Sequence, residues 1–364
     1  MTSSTPTSTP TSTPIPPRAS RHVEGAITSL SVPRSRGVGR LATCLVALGA
    51  LLVVWPGGRA AAGTDPEALL RRAREASGTA TVAGIVQVRW RDGATIHVEQ
   101  TGARARRGAY VVGRGDNVAV GAGGVRWAAE DGVATRWGHV DGAEPPRPGA
   151  AWDLELADGA EVAGRPCQVV VARRGDGPTR ARFFVDEASG LLVRRDVLQA
   201  DGDLVRSVRY TRLKTDHVTP AVPALPEGGP QAVPTDEIGA EYLAPDRLAT
   251  GFRLLGRYEH PDGAVQMFYS DGLFSLSVFE QQGLVDWGSL PDGGRRTTVD
   301  SERAQWYATD VGSVVVWERG GLVLTGVSDA PPDTVRGAVA AVAGDDGDLI
   351  DDLVDFVLDP FGWE

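Results

Sequence analysis

The sequence predicts an α+β protein: an antiparallel sheet curled into a half-barrel and capped by one helix, followed by a smaller α+β domain. Three observations carry this. Runs that alternate apolar and polar residues are joined by tight Asp-Gly turns at Asp92-Gly93, Asp131-Gly132 and Asp201-Gly202, a strong hairpin signal. After one early helix, no helical pattern separates these strands, which points to an antiparallel sheet rather than one built from crossovers. A proline- and glycine-rich break at residues 216–237 then divides two strand-rich regions.

The elements follow in order. Residues 1–40 form a leader: a Thr/Ser/Pro tract that cannot bury a core, then Arg18, Arg21, Arg34, Arg36 and Arg40. Residues 41–63 hold the apolar run Leu41 to Trp55 and the small residues Ala60-Ala61-Ala62, a pattern that fits a cleaved signal peptide or a retained signal anchor. Either places residues 64–364 outside the cytoplasm. Asp65-Pro66 supplies an N-cap and first position for a short helix through Ala76. Val86, Val88 and Trp90 alternate with Gln87, Arg89 and Arg91, opening about eight to ten strands in a domain spanning 64–215. Past the linker at 216–237, a domain at 238–364 offers strands near 252–258, 264–269, 273–280, 304–308, 313–318 and 322–327. It ends in helical patterns at Val335 to Val342 and Leu349 to Leu358.

Charge and chemistry exclude more than they propose. The net charge of −10 combines a basic leader with an acidic body: residues 1–63 carry six Arg and one Glu, a net +5, so without them the charge is −15. Such a body lacks the positive field that nucleic-acid binding requires. Cys167 is the one cysteine beyond the leader, and its strand-like setting, Cys167-Gln168-Val169-Val170-Val171, suits a small buried hydrophobe better than a reactive thiol. There is no Gly-x-Ser-x-Gly elbow, phosphate loop or Cys-x-x-Cys pair, and His97, His139, His217 and His260 are scattered. Asp345-Asp346-Gly347-Asp348 lacks the ligand order of a calcium loop and reads as a helix cap. No enzyme activity, cofactor or metal is expected.

Two stretches are more specific. Phe183-Phe184-Val185-Asp186-Glu187-Ala188-Ser189-Gly190-Leu191-Leu192-Val193-Arg194-Arg195 resembles a strand-turn-strand of the MucB/RseB regulators of extracytoplasmic sigma factors and of the wider lipoprotein-carrier superfamily. Tyr269-Ser270-Asp271-Gly272-Leu273-Phe274-Ser275-Leu276-Ser277-Val278-Phe279-Glu280 is similar to the hallmark of that family's C-terminal domain. The resemblance implies a non-catalytic regulator of an envelope stress response. Such a protein binds the extracytoplasmic part of a membrane anti-sigma factor, restrains its proteolysis and responds to a lipid or lipoprotein signal. A lipid or lipoprotein carrier of the cell envelope is the alternative.

On that reading the concave apolar face of the lipoprotein-carrier-like half-barrel is a ligand site, with Val86, Val88, Trp90, Trp127, Trp137, Trp152 and Phe184 as candidates. The same tryptophans also suit simple core filling. Tyr269, Asp271, Phe274 and Phe279 are the partner-binding candidates. Their strand puts Leu273, Ser275, Ser277 and Phe279 on one face and Phe274, Leu276 and Val278 on the other, so it is either sandwiched inside the protein or covered by a partner.

Overall fold

A computed structural model describes residues 65–344, apart from 107–108, 115–116, 123–124, 131–132, 139–146, 216–230, 233–241, 243–244 and 261–262; from 106 to 146 only backbone is described. The leader, the signal or anchor segment and the helix expected at Leu349 to Leu358 lie outside the described residues. So does most of the linker.

The first helix, α1 (Pro66–Thr79), begins where the sequence places it. Asp65 accepts hydrogen bonds from the backbone N–H of Glu67 at 3.2 Å and of Ala68 at 3.1 Å, and Pro66 opens the first turn. The helix runs three residues beyond Ala76. In its last turn Ser77 Oγ donates to the Ala73 carbonyl at 2.8 Å and Thr79 Oγ1 to that of Glu75 at 3.0 Å. Leu69, Leu70 and Ala73 are buried.

Eleven strands form the first sheet: β1 (Thr81–Asp92), β2 (Thr95–Arg106), β3 (Ala109–Arg114), β4 (Asn117–Ala122), β5 (Val125–Glu130), β6 (Val133–Gly138), β7 (Asp153–Val162), β8 (Arg165–Arg173), β9 (Ala181–Asp186), β10 (Leu192–Leu198) and β11 (Leu204–Lys214). Their order is β6-β5-β4-β3-β2-β1-β11-β10-β9-β8-β7, so two series of hairpins meet where β1 pairs antiparallel with β11. The sheet is open, with β6 and β7 at its edges. Register shifts in β1, β7 and β10 supply the local bends that curl it. Sequence periodicity undercounts the strands. β7 contains Ala157-Asp158-Gly159, which reads as a turn but is absorbed as an irregularity between Ala157 and Ala160.

The second sheet has eight strands: β12 (Gln231–Ala232), β13 (Arg253–Glu259), β14 (Val265–Ser270), β15 (Ser275–Gln282), β16 (Arg295–Val299), β17 (Glu302–Thr309), β18 (Gly312–Arg319) and β19 (Leu322–Ser328), in the order β12-β13-β14-β15-β19-β18-β17-β16. Helix α2 (Pro332–Gly344) closes the described chain. Two strands were not foreseen. β16 is an exposed edge of arginine and threonine, and β12 comes from the linker itself, where Gln231 and Ala232 pair with Glu259 and Tyr258. Among the described residues no helix is long and apolar enough to cross a membrane.

One apolar core passes through both halves. Leu69, Leu70, Trp152, Val170, Phe183 and Val197 of the first pack in the same cluster as Phe252, Phe274, Leu276, Trp317, Leu324 and Val339 of the second. The helix cap is a prerequisite for placing the first of these. Asp65→Ala should lower unfolding stability by about 1 kcal/mol in urea titrations, the usual worth of an N-cap, and an unchanged midpoint would contradict the role given to Asp65.

Candidate functional site

Buried charged side chains gather where the two halves meet, and the Tyr269–Glu280 motif forms one side of that junction. Ser270 Oγ donates to the Phe274 carbonyl at 2.8 Å and accepts from Gly272 N–H at 3.0 Å. Asp271 Oδ1 accepts from the N–H groups of Leu273 and Phe274 at 3.0 and 2.8 Å. Gly272 adopts φ +93°, a conformation that favours glycine. The turn is thus fixed by its own side chains and presents its outer atoms to the first half. Arg174 reaches Asp271 Oδ2 at 2.8 Å, and Arg74 donates to the Gly272 carbonyl at 2.6 Å.

Arg195 of β10 is almost fully buried, at 3% exposure. It donates to Asp329 Oδ2 at 2.5 Å and to the Leu273 carbonyl at 2.9 Å, and its guanidinium stands 4.9 Å from the Phe274 ring centre. Asp329 in turn accepts from Ser275 N–H at 2.7 Å. Burial works against the Asp329 charge, but Arg195 and the Ser275 N–H outweigh it and hold this carboxyl below its ordinary range. Beside it, Arg206 of β11 donates from Nε to the Asp310 carbonyl oxygen at 2.5 Å. Burial, then the neighbouring Arg195, lowers Arg206 to about 10, so it stays charged at neutral pH. Asp310, in the β17–β18 turn and 1% exposed, is pushed up to about 8, chiefly by burial and against the pull of Arg206, with Glu99 adding repulsion. Asp271 is raised as well, by burial that its two N–H donors and Arg174 only partly offset.

Three of the four partner-binding candidates are therefore buried, Asp271 and Phe274 against the chain's own first half. Tyr269, Asp271 and Phe274 are 0, 0 and 1% exposed, and Phe274 meets Trp152 edge-on at 5.4 Å between ring centres. Their place on β14, and in the turn after it, faces them inward, so in this conformation they offer no surface to a separate molecule. Phe279 is half-buried, on the face with Leu273, Ser275 and Ser277, and meets His260 at 5.6 Å.

Of the pocket candidates, Val86, Val88, Trp90 and Phe184 belong to one buried apolar cluster of the first sheet. Val86, Val88 and Trp90 share a face with Tyr210, Val208 and Arg206 and are buried; Trp90 stacks on His97 at 5.0 Å. Phe184 pairs with Arg194, which lies over its ring, and so sits on the opposite face of the sheet from Phe183 and Arg195. Trp152 belongs to the junction. The side chains of Trp127 and Trp137 lie outside what is described. Cys167 is buried, donates to the Arg165 carbonyl at 3.3 Å and has its thiol raised to about 11 by burial and then by Asp186, the setting of an inert small residue. Among the described residues no cluster of His, Cys, Asp and Glu is placed to hold a metal. What sequence reasoning missed is the arginine set of Arg74, Arg174, Arg195 and Arg206. Their partners lie roughly 80 to 200 positions away, and in an arginine-rich chain no spacing marks them.

The fold and this junction define a class: an open, bent antiparallel sheet locked through a buried arginine-rich junction to a second α+β unit. Residues 124–235 match the model of the MucB/RseB N-terminal domain. Similar solved structures include the MucA/MucB complex of Pseudomonas aeruginosa, 21% identical over 76% of this chain and 97% of that one with a TM-score of 0.46. A structure of MucB alone is 22% identical over 76% and 98%, with a TM-score of 0.45. A LolA superfamily protein from Nitrosomonas europaea is 9% identical over 75% and 97%, with a TM-score of 0.21. No curated protein matches the chain.

Two outcomes test the junction. Phe274→Ala should cost about 3 to 5 kcal/mol of stability, and a double-mutant cycle with Trp152→Ala should return a coupling of about 0.5 to 1.5 kcal/mol; strictly additive losses would separate the two rings. For Asp310, the folded carboxyl keeps its proton up to about pH 8 whereas an ordinary one loses it from 3.8. Its contribution to stability is thus complete in acid and is lost as pH rises through 8. Asp310→Asn, which cannot titrate, should melt at a temperature that falls less from pH 5 to pH 9 than the parent's; parallel melting curves would remove Asp310 from the account.

Proposed function

We propose that this chain is an exported regulator that binds the extracytoplasmic part of a membrane anti-sigma factor and restrains its proteolysis. The observation that carries the reading is the match of residues 124–235 to the MucB/RseB N-terminal domain, β5 through β12. The motif at Tyr269–Glu280 supports it from outside that segment. In this reading residues 64–215 and 238–364 are two units joined by the linker at 216–237, and residues 41–63 export the chain or anchor it. A lipid or lipoprotein bound by the first unit would be the releasing signal. As a carrier alone the chain has less in its favour, since Val86, Val88 and Trp90 are already packed at 0, 3 and 9% exposure.

Partner contact then falls on surfaces the junction leaves open, and Phe279 is the aromatic residue of the motif that is only half-buried. The full chain, mixed with the extracytoplasmic domain of the cognate anti-sigma factor, should form a complex and slow cleavage of that domain by its processing protease. Phe279→Ala should weaken the complex about ten-fold with little change in melting, as an aromatic contact at an interface does. No complex at roughly 100 μM, where even weak specific contacts register, would overturn the function; full binding by Phe279→Ala would move the contact elsewhere.

A further inference from the structure

Beside the junction a cleft of about 220 Å³ opens between the two halves, lined by Trp152, Arg174, Arg180, Thr250 and Thr334 among others. Two arginines and two threonines line it together with Trp152, Gly177 and Pro178. Arg174 lies over the Trp152 ring at 4.4 Å and donates to the Thr250 carbonyl and to Asp271. Arg180, only 13% exposed, bonds through Nη2 to Asp333 Oδ1 and, at 3.4 Å, to the Thr334 hydroxyl.

Among the lining atoms buried without a hydrogen-bond partner are Arg180 Nε and the Thr250 hydroxyl oxygen. The first is informative because Nε and one Nη of a guanidinium form the fork that accepts a carboxylate side-on, both oxygens at once. Asp333 engages Arg180 through Nη2 alone and leaves Nε empty. Its own Oδ1 also accepts from Thr334 N–H at 2.9 Å, in the first turn of α2, and its side chain is 44% exposed. Asp333 therefore fills the anion position incompletely and is free to turn out into water.

We propose that this cleft is a seat for a carboxylate side chain, Asp or Glu, of a bound polypeptide, which displaces Asp333, takes both arms of the Arg180 fork and accepts from Thr250. The charge balance selects this ligand. Arg174 and Arg180 already face Asp271 and Asp333, so exchanging one carboxylate for another leaves the balance unchanged, whereas a phosphate dianion would add an uncompensated charge. The proposal deepens the partner-binding reading and rests on it for the polypeptide nature of the ligand. Because the seat is walled by both halves, its ligand would bind only when they are docked.

Titration of the full chain with a hexaglutamate peptide by calorimetry at low salt, with inorganic phosphate as rival, tests this. Asp333→Asn removes the internal competitor and should bind the peptide about five-fold tighter, while Arg180→Gln should bind about ten-fold weaker, the worth of a charge-assisted hydrogen bond. Should Arg180→Gln fail to fold, Asp333→Asn still decides, because it keeps the fork and predicts a gain that a purely structural ion pair would not give. Peptide binding that is unchanged or weaker in Asp333→Asn, or phosphate displacing the peptide at equal concentration, overturns the seat. Anti-sigma binding indifferent to both variants also overturns it and leaves the partner reading standing. Hexaglutamate binding that responds to both variants, with no binding of the anti-sigma domain, sustains the seat and ends the partner reading.

Discussion

A guanidinium cannot shed its charge to escape burial, and Arg195 is almost fully buried between the two sheets. Everything around it answers that constraint. Asp329 supplies the counter-charge from the end of β19, the Leu273 carbonyl takes a second donor, and the rings of Phe183 and Phe274 lie 5.6 and 4.9 Å away. These partners come from β9, the β14–β15 turn and the segment after β19, so satisfying one side chain fixes how the halves dock. Such a pair adds little net stability over a well-packed apolar contact, yet losing one partner costs about 3 to 5 kcal/mol. Its role is to make one docking geometry far better than its neighbours.

The strands were legible in the sequence wherever local chemistry decides them. Asp92-Gly93 and Asp201-Gly202 close hairpins because glycine takes the positive φ that the turn needs, and Asp65 caps α1 with atoms two and three residues away. β12 and β16 were not legible, because a two-residue strand and an exposed Arg-Arg-Thr-Thr-Val edge carry no apolar period. The junction was hidden for a different reason. Nothing local tells Arg195 that Asp329 will be its partner 134 positions later, and the alternation around Phe274 predicted burial on one face without saying what would cover it.

The motif that carries the family resemblance is, in space, an internal fastening. Ser270, Asp271 and Gly272 spend their hydrogen bonds on the turn and on Arg74 and Arg174, and Phe274 fills the core. A residue pattern that carries a resemblance need not lie on a binding surface. Here it is the part that keeps the two halves in register, while half-exposed neighbours such as Phe279 remain available for recognition.

The place of β12 in the second sheet has a mechanical consequence. The covalent connection between the halves enters that sheet at one edge, whereas the Asp310 turn joins β17 to β18 near the other, six strand steps and roughly 29 Å away. A swing pivoting on the β12 edge would therefore act through a long lever arm. A few degrees at the pivot become ångströms at Arg206 and Asp310, more than a buried hydrogen bond can follow, so that contact would part first and the one nearest the pivot last.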